Sequence, residues 1–183
     1  MSITFLIPTR NRLEDLLDSL NEIYTKAFNP YNVYAIVTIY KNDEITLKNI
    51  KIIKEIHKNI TVLVNENTKL GYIDMDKLWD KMANLVKTNL LVLWTDRIRM
   101  LTNHWDNVLF DFYNKHKEPY MIIRLKEIET WHWAYPIITL ELHKLIGIFK
   151  STAPDAYIRY IAEYTNIELF LETIEIERIP QQY

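Results

Sequence analysis

Over its first hundred residues the sequence alternates four times between a short, densely apolar run and a longer stretch whose apolar residues recur every three or four positions. Ser2 to Ile7, Val33 to Tyr40, Ile60 to Val64 and the run from Leu90 read as buried strands. The intervening sets Leu13, Leu16, Leu17, Leu20, Ile23 and Tyr24, then Leu47, Ile50, Ile53 and Ile56, then Met75, Leu78, Trp79, Met82 and Val86, fall at helical spacing. Strand alternating with helix predicts an α/β chain with a mostly parallel central sheet and helices on both faces. Pro8, which lacks an amide hydrogen, is expected to end the first strand's ladder, and Asn11 to cap the following helix with Glu14 three positions on.

After about residue 100 the rhythm breaks. Trp105, Val108, Leu109 and Phe112 predict a helix, Tyr120 to Leu125 a strand, Leu140 to Ile148 and Ala156 to Tyr164 two helices, and Ile167 to Ile176 one or two closing strands. Ile128 to Pro136 is aromatic and fits neither period. The 183 residues are expected to form one domain, 1–183, with 1–100 as its regular half and 101–183 as a smaller mixed part.

Composition mainly excludes. A formal net charge of −2 and the lack of a recognisable module argue against a nucleic-acid binder. No apolar run approaches the roughly 20 residues of a membrane span, and with zero cysteines the expectation is a soluble, cytoplasmic protein. The two glycines, Gly71 and Gly147, are too few for a glycine-rich phosphate loop, so the P-loop and the dinucleotide fingerprint are excluded. A nucleotide would have to be held by side chains.

Each of the four strands runs into polar residues: Pro8-Thr9-Arg10-Asn11-Arg12, Lys41 to Glu44, Asn65 to Lys69, and Thr95-Asp96-Arg97. In a parallel sheet those ends share one edge, where open α/β sheets bind ligands. Carboxylates mixed with guanidinium groups suit a nucleoside diphosphate. Arg10 and Arg12 could grip phosphate oxygens, and Asp43 could accept hydrogen bonds from a base or ribose. The plainer alternatives are that Arg12 and Asp43 are surface charges around helix starts and that Asp96 caps a turn.

Phe5-Leu6-Ile7-Pro8-Thr9-Arg10-Asn11-Arg12 resembles the opening strand and Pro-Thr-x-Asn-Arg signature of GT-A fold glycosyltransferases, in particular the family-2-like group. Leu70-Gly71-Tyr72 and Leu91 to Asp96 resemble that group's later segment, ending in its acidic metal motif, and Trp105-Asp106 resembles the Trp that follows it. Pro136 to Thr139, Leu145 to Phe149 and Asp155 resemble the acceptor-side half. The resemblance implies a GT-A (Rossmann-like) domain that moves a sugar from a UDP- or GDP-sugar to the hydroxyl of an unspecified acceptor, with inversion. The donor site is expected to draw on Pro8, Thr9, Arg10, Asn11, Arg12, Asp43, Gly71, Asp96 and Arg97, and the resemblance puts Thr9, Asn11 and Asp43 on the nucleoside. Asp96 would hold a divalent cation, Mn2+ or Mg2+, and Asp155 would act as base. His132, between Trp131 and Trp133, could add a metal ligand or contact a sugar, or the cluster could be core. His104 and His143 read as structural or solvent-facing.

The chain departs from the family's pattern where Arg97 replaces a second acid, Arg10 a frequent aromatic and Lys77 a usual Asn. Those departures keep open a non-catalytic nucleotide- or carbohydrate-binding protein on the same fold. A sugar nucleotidyltransferase would need a glycine-rich loop after the first strand, and Pro8-Thr9-Arg10 is none.

Overall fold

The computed structural model describes residues 1–66, 75–128, 135–147 and 154–180. The four apolar runs form β1 (Ile3–Thr9), β2 (Val33–Tyr40), β3 (Ile60–Asn65) and β4 (Leu90–Leu93), all parallel and ordered β3-β2-β1-β4. Between them lie α1 (Leu13–Thr25), the pair α2 (Glu44–Lys48) and α3 (Ile50–Ile56), and α4 (Met75–Ala83). The rest of the chain supplies β5 (Ile98–Met100), α5 (Trp105–His116), β6 (Ile122–Ile128), β7 (Ile137–Thr139), α6 (Leu140–Ile146), α7 (Pro154–Thr165) and β8 (Glu168–Arg178). These strands continue the same sheet, so that eight strands run β3-β2-β1-β4-β7-β6-β8-β5. The result is one mixed α/β domain, with β7 antiparallel to β4 and β6, and β5 antiparallel to β8.

Alternation along the strands sorts the core into two layers, because successive side chains leave a strand on opposite faces. Phe5, Val37, Val92, Ile123 and Ile137 pack with Leu16, Leu20 and Ile23 of α1, Ile53 of α3, and Trp105 and Leu109 of α5. Leu6, Ile36, Leu91, Ile122 and Ile138 pack with Trp79 and Met82 of α4, Leu142 of α6, and Ile158 and Ala162 of α7. Phe5 sits edge-on to both Trp94 and Trp105, with ring centroids 5.1 and 5.3 Å away.

Three local expectations are corrected, those for Pro8, Asn11 and the second helix. Pro8 does not end β1, for it pairs with Thr38 and the strand runs on to Thr9. Leu6 O accepts from Trp94 N at 3.0 Å, so Pro8, two residues on, points its missing donor toward the same side, past the last Leu6–Leu93 rung of the β1–β4 ladder, where no partner strand needs it. Asn11 is not the helix cap. Its φ is 53°, in the left-handed region that asparagine tolerates, and Arg12 occupies the cap position without a side-chain cap bond. The second helix breaks at Asn49 into α2 and α3, and the closing segment is a single strand, β8, with a register shift against β6 after Leu125. Gly147 ends α6 at φ 57°, a conformation in which a Cβ would clash. Among the described residues no helix is long and apolar enough to cross a membrane.

Candidate active site

The carboxyl end of β4 is a tight turn clamped from behind. Ile98 N donates to Thr95 O, closing Thr95–Ile98, and Ser19 of α1 donates to Ile98 O at 2.7 Å while accepting from Trp94 Nε1 at 3.0 Å. Arg99, buried despite its charge, donates through Nη1 to Asp96 O (2.9 Å) and Asp15 O (3.2 Å), and its Nη2 reaches the carboxylates of Asp15 and Asp18. A buried guanidinium survives only where its donors are matched, and here the match is to one turn and one helix. The Asp96 backbone is therefore fixed before any ligand arrives.

The Asp96 side chain is 1% exposed. Thr9 Oγ1 donates to its Oδ2 at 2.8 Å, and Arg12 Nη1 donates to its Oδ1 at 3.3 Å. Burial raises its carboxyl above the ordinary value, opposed by the Thr9 bond and the Arg12 charge and reinforced by Asp15. Thr9, Arg12 and Asp96, read from the sequence as one cluster, are thus brought together.

Asp43 is also buried, but its partners are backbone. Asn11 N donates to one oxygen at 2.6 Å, and Thr46 N to the other at 3.1 Å, capping α2. It holds the β1–α1 turn against the end of β2 and explains the unusual Asn11 conformation. Asp43 thus caps a helix start, but from a buried position and not as a surface charge, and a base or ribose would meet a carboxylate whose two oxygens already accept. Arg10 lies over the Tyr40 ring at 5.6 Å, with its Nε buried and without a hydrogen-bond partner among the described residues.

Arg97 follows Asp96 and its backbone is tied to the far strand: Ile179 N donates to Arg97 O at 2.9 Å, and Ile98 pairs with Arg178. Burial raises the Tyr135 hydroxyl, opposed by Arg178, by a hydrogen bond with Thr95 and by Arg97, with Glu127 acting in the other direction. Tyr135, whose ring lies 6.0 Å from Trp94, is therefore within electrostatic reach of both Arg97 and Arg178. Ser19, Arg99, Tyr135 and Arg178 were not singled out from sequence. The signal for Arg99 was its place two residues beyond Arg97 in an alternating Arg-Ile-Arg-Met run.

Asp155 sits in the first turn of α7, where its Oδ1 accepts from Ala156 N at 2.9 Å, and it makes no bond to the Asp96 cluster among the described residues. Gly71 and His132 lie outside the described residues. His104 is exposed against Phe28, whereas His143 is buried on α6.

The donor set does not fit a divalent cation held by Asp96. Both oxygens already accept from Thr9 and Arg12, the neighbour is Arg97, and among the described residues no three His, Asp or Glu side chains converge. A cation there would sit against a guanidinium.

No family model matches the chain, and no curated protein matches its sequence. Among solved structures it is similar to S. aureus TarS 1-349 in complex with UDP-GlcNAc, at 14% identity over 100% of this chain and 60% of that one, with a TM-score of 0.75. It is similar to the mannosyltransferase PcManGT from Pyrobaculum calidifontis in complex with GDP-Man and Mn2+, at 11% identity over 98% and 57%, with a TM-score of 0.76. A cytidylyltransferase from Leptospira borgpetersenii is more distant in shape, at 15% identity over 93% and 75%, with a TM-score of 0.61. The chain spans about 60% of the TarS chain it matches. Its fold is the GT-A fold of these glycosyltransferases.

Proposed function

We propose that this chain transfers a sugar from a UDP- or GDP-sugar to an acceptor hydroxyl, with inversion. The observation that carries the reading is Asp96, a buried carboxylate at the carboxyl end of β4 bonded to Thr9 and Arg12 from the end of β1, at the edge where open parallel sheets take ligands. Thr9, Asn11 and Asp43 would lie toward the nucleoside and Arg10, Arg12 and Arg97 toward the diphosphate, with Pro8 stiffening the approach. TarS and PcManGT hold UDP-GlcNAc and GDP-Man on the same fold, which supports a nucleotide-sugar donor here.

An acceptor hydroxyl, with a pKa far above neutrality, needs a base, and Asp155 is the assigned one. As the acceptor oxygen bonds to the anomeric carbon, the bond from that carbon to the β-phosphate oxygen breaks. The electron pair leaves with the nucleoside diphosphate, and the acceptor proton passes to Asp155. Positive charge fixed near the departing phosphate lowers the barrier because it acts where negative charge develops.

The test is release of nucleoside diphosphate from a panel of nucleotide-sugars by the purified chain. Turnover with one donor is expected, and Asp155→Asn should lower it by about 10² with nucleotide affinity nearly unchanged. Nucleotide binding without turnover on any donor would instead establish a non-catalytic binding protein, the second reading, which Arg97 in place of a second acid favours.

A further inference from the structure

We propose that guanidinium groups, Arg97 and Arg12 foremost, neutralise the donor's diphosphate at the carboxyl edge in place of a divalent cation. This rests on the donor-site reading above and adds to it the source of the positive charge.

Three observations carry it. First, the Asp96 carboxylate is committed: Thr9 takes one oxygen and Arg12 the other, so an entering cation would have to displace a guanidinium from a 1% exposed acid. The diphosphate meets that same guanidinium directly, and a planar fork of donors suits phosphate oxygens. Second, Arg10 and Arg97, which follow the adjacent strands β1 and β4, each keep a buried Nε without a hydrogen-bond partner among the described residues. Two donors withheld from the protein on neighbouring strand ends are what an anionic ligand would complete. Third, arginine is concentrated at this edge. The chain as a whole carries −2, yet four of its seven arginines, Arg10, Arg12, Arg97 and Arg178, lie at this edge. The carboxylates facing them are Asp96, already shared with Arg12, Asp43, bonded to two backbone amides, Glu127 beside Tyr135, and Asp15, which acts on Asp96 and pairs with Arg99. Guanidinium groups are thus concentrated on the side where a phosphate would sit, with Arg99 alone matched to the α1 acids Asp15 and Asp18.

Arg97 is the residue best placed to act on the leaving group. Its backbone is pinned between the Asp96 turn and β8, so the guanidinium swings from a fixed base and needs no metal to orient it. The shared chemistry is recognition of a nucleoside diphosphate through its two phosphates.

The experiment is calorimetric titration of UDP, GDP, CDP and TDP, each in EDTA and in Mn2+, into wild type, Arg97→Ala and Arg97→Asp, with the parent nucleosides as controls. The best nucleotide is expected to bind wild type with the same affinity within about twofold in EDTA and in Mn2+. Arg97→Ala should weaken the diphosphate by about tenfold or more in EDTA and leave the nucleoside unchanged, and Arg97→Asp should bind the diphosphate only with Mn2+. A tenfold or larger gain from Mn2+ in wild type would overturn this inference alone, and that arm requires no variant to fold. If no nucleotide binds under either condition, the donor-site reading falls and takes this inference with it.

Discussion

Asp106 and Asp96 are each 1% exposed and lie on opposite ends of the same sheet, yet their surroundings differ in kind. At the end where β1, β2 and β4 begin, polar groups are closed by backbone. Asp106 accepts from Phe28 N and Asn29 N at 2.6 and 2.8 Å, Trp105 Nε1 donates to Ile23 O, Lys26 Nζ donates to Met100 O, and Thr88 joins Thr4 to Leu90 O. At the end where the strands finish, Asp96 is met by side chains, Arg10 and Arg97 keep Nε atoms unmatched among the described residues, and burial works against a charge. A carboxylate bonded to backbone amides fixes a loop. One bonded to a hydroxyl and a part-exposed guanidinium leaves that guanidinium a face to turn to an anionic ligand.

The sharpest way to test the contrast is to remove the acid at the beginning edge. Asp106→Ala removes a buried carboxylate and both of its charge-assisted bonds at the entrance to β2 and should cost about 3 kcal/mol in urea unfolding, while nucleotide affinity measured well below the transition stays intact. Arg99→Ala comes next, at about 2 kcal/mol, because it frees Asp96 O and two α1 acids together; unlike Asp106→Ala it should also weaken nucleotide binding, since the Asp96 turn loses its clamp. Asp43→Ala should cost about 1 kcal/mol through loss of the α2 cap, and Asp43→Asn, which keeps one acceptor, only a few tenths in the same melts.

The smallest effect is expected at Asp96 itself, and its sign is opposite. The folded protein holds the Asp96 proton more tightly than the unfolded chain, so stability falls as pH rises from the ordinary value of 3.8 through the raised one. Asp96→Asn should therefore flatten that part of the pH–stability curve, melt at or slightly above wild type at pH 7, and lose any advantage below the ordinary value. An Asp96→Asn variant that melts well below wild type at neutral pH would place Asp96 in the same structural class as Asp106 and erase the difference between the two edges.

How much of this was legible follows from which contacts are local. The β1 to β4 runs and their helices could be read because each buries a face that the sequence marks by periodicity, and the convergence of Thr9, Arg12 and Asp96 follows from parallel strands ending together. Pro8 misled because its missing donor matters only on a side with a neighbour, and β4 has ended there. Asn11 misled because its helix-start position said nothing of Asp43, which holds its amide. β5 was invisible for a different reason: three residues with a buried Arg99 among them form a strand only because β8 lies beside them. Asp106 was noted beside Trp105 without a role, since its partners Phe28 and Asn29 are distant in sequence.

The pairing of β8 with both β6 and β5 has a consequence in time. Arg97 O receives its bond from Ile179, about 80 residues further along, so a chain emerging from a ribosome exposes Asp96 and Arg97 long before the strand that fixes Arg97 exists. During that interval β1 to β4 can pair and bury their helices while the edge of the crevice stays open. Completion of the site thus waits for β8, although its Asp96 and Arg97 are made much earlier. A half-made chain would expose the margins of β5 and β6 as unpaired ladders, so translation pausing before residue 168 should be the moment of greatest aggregation risk.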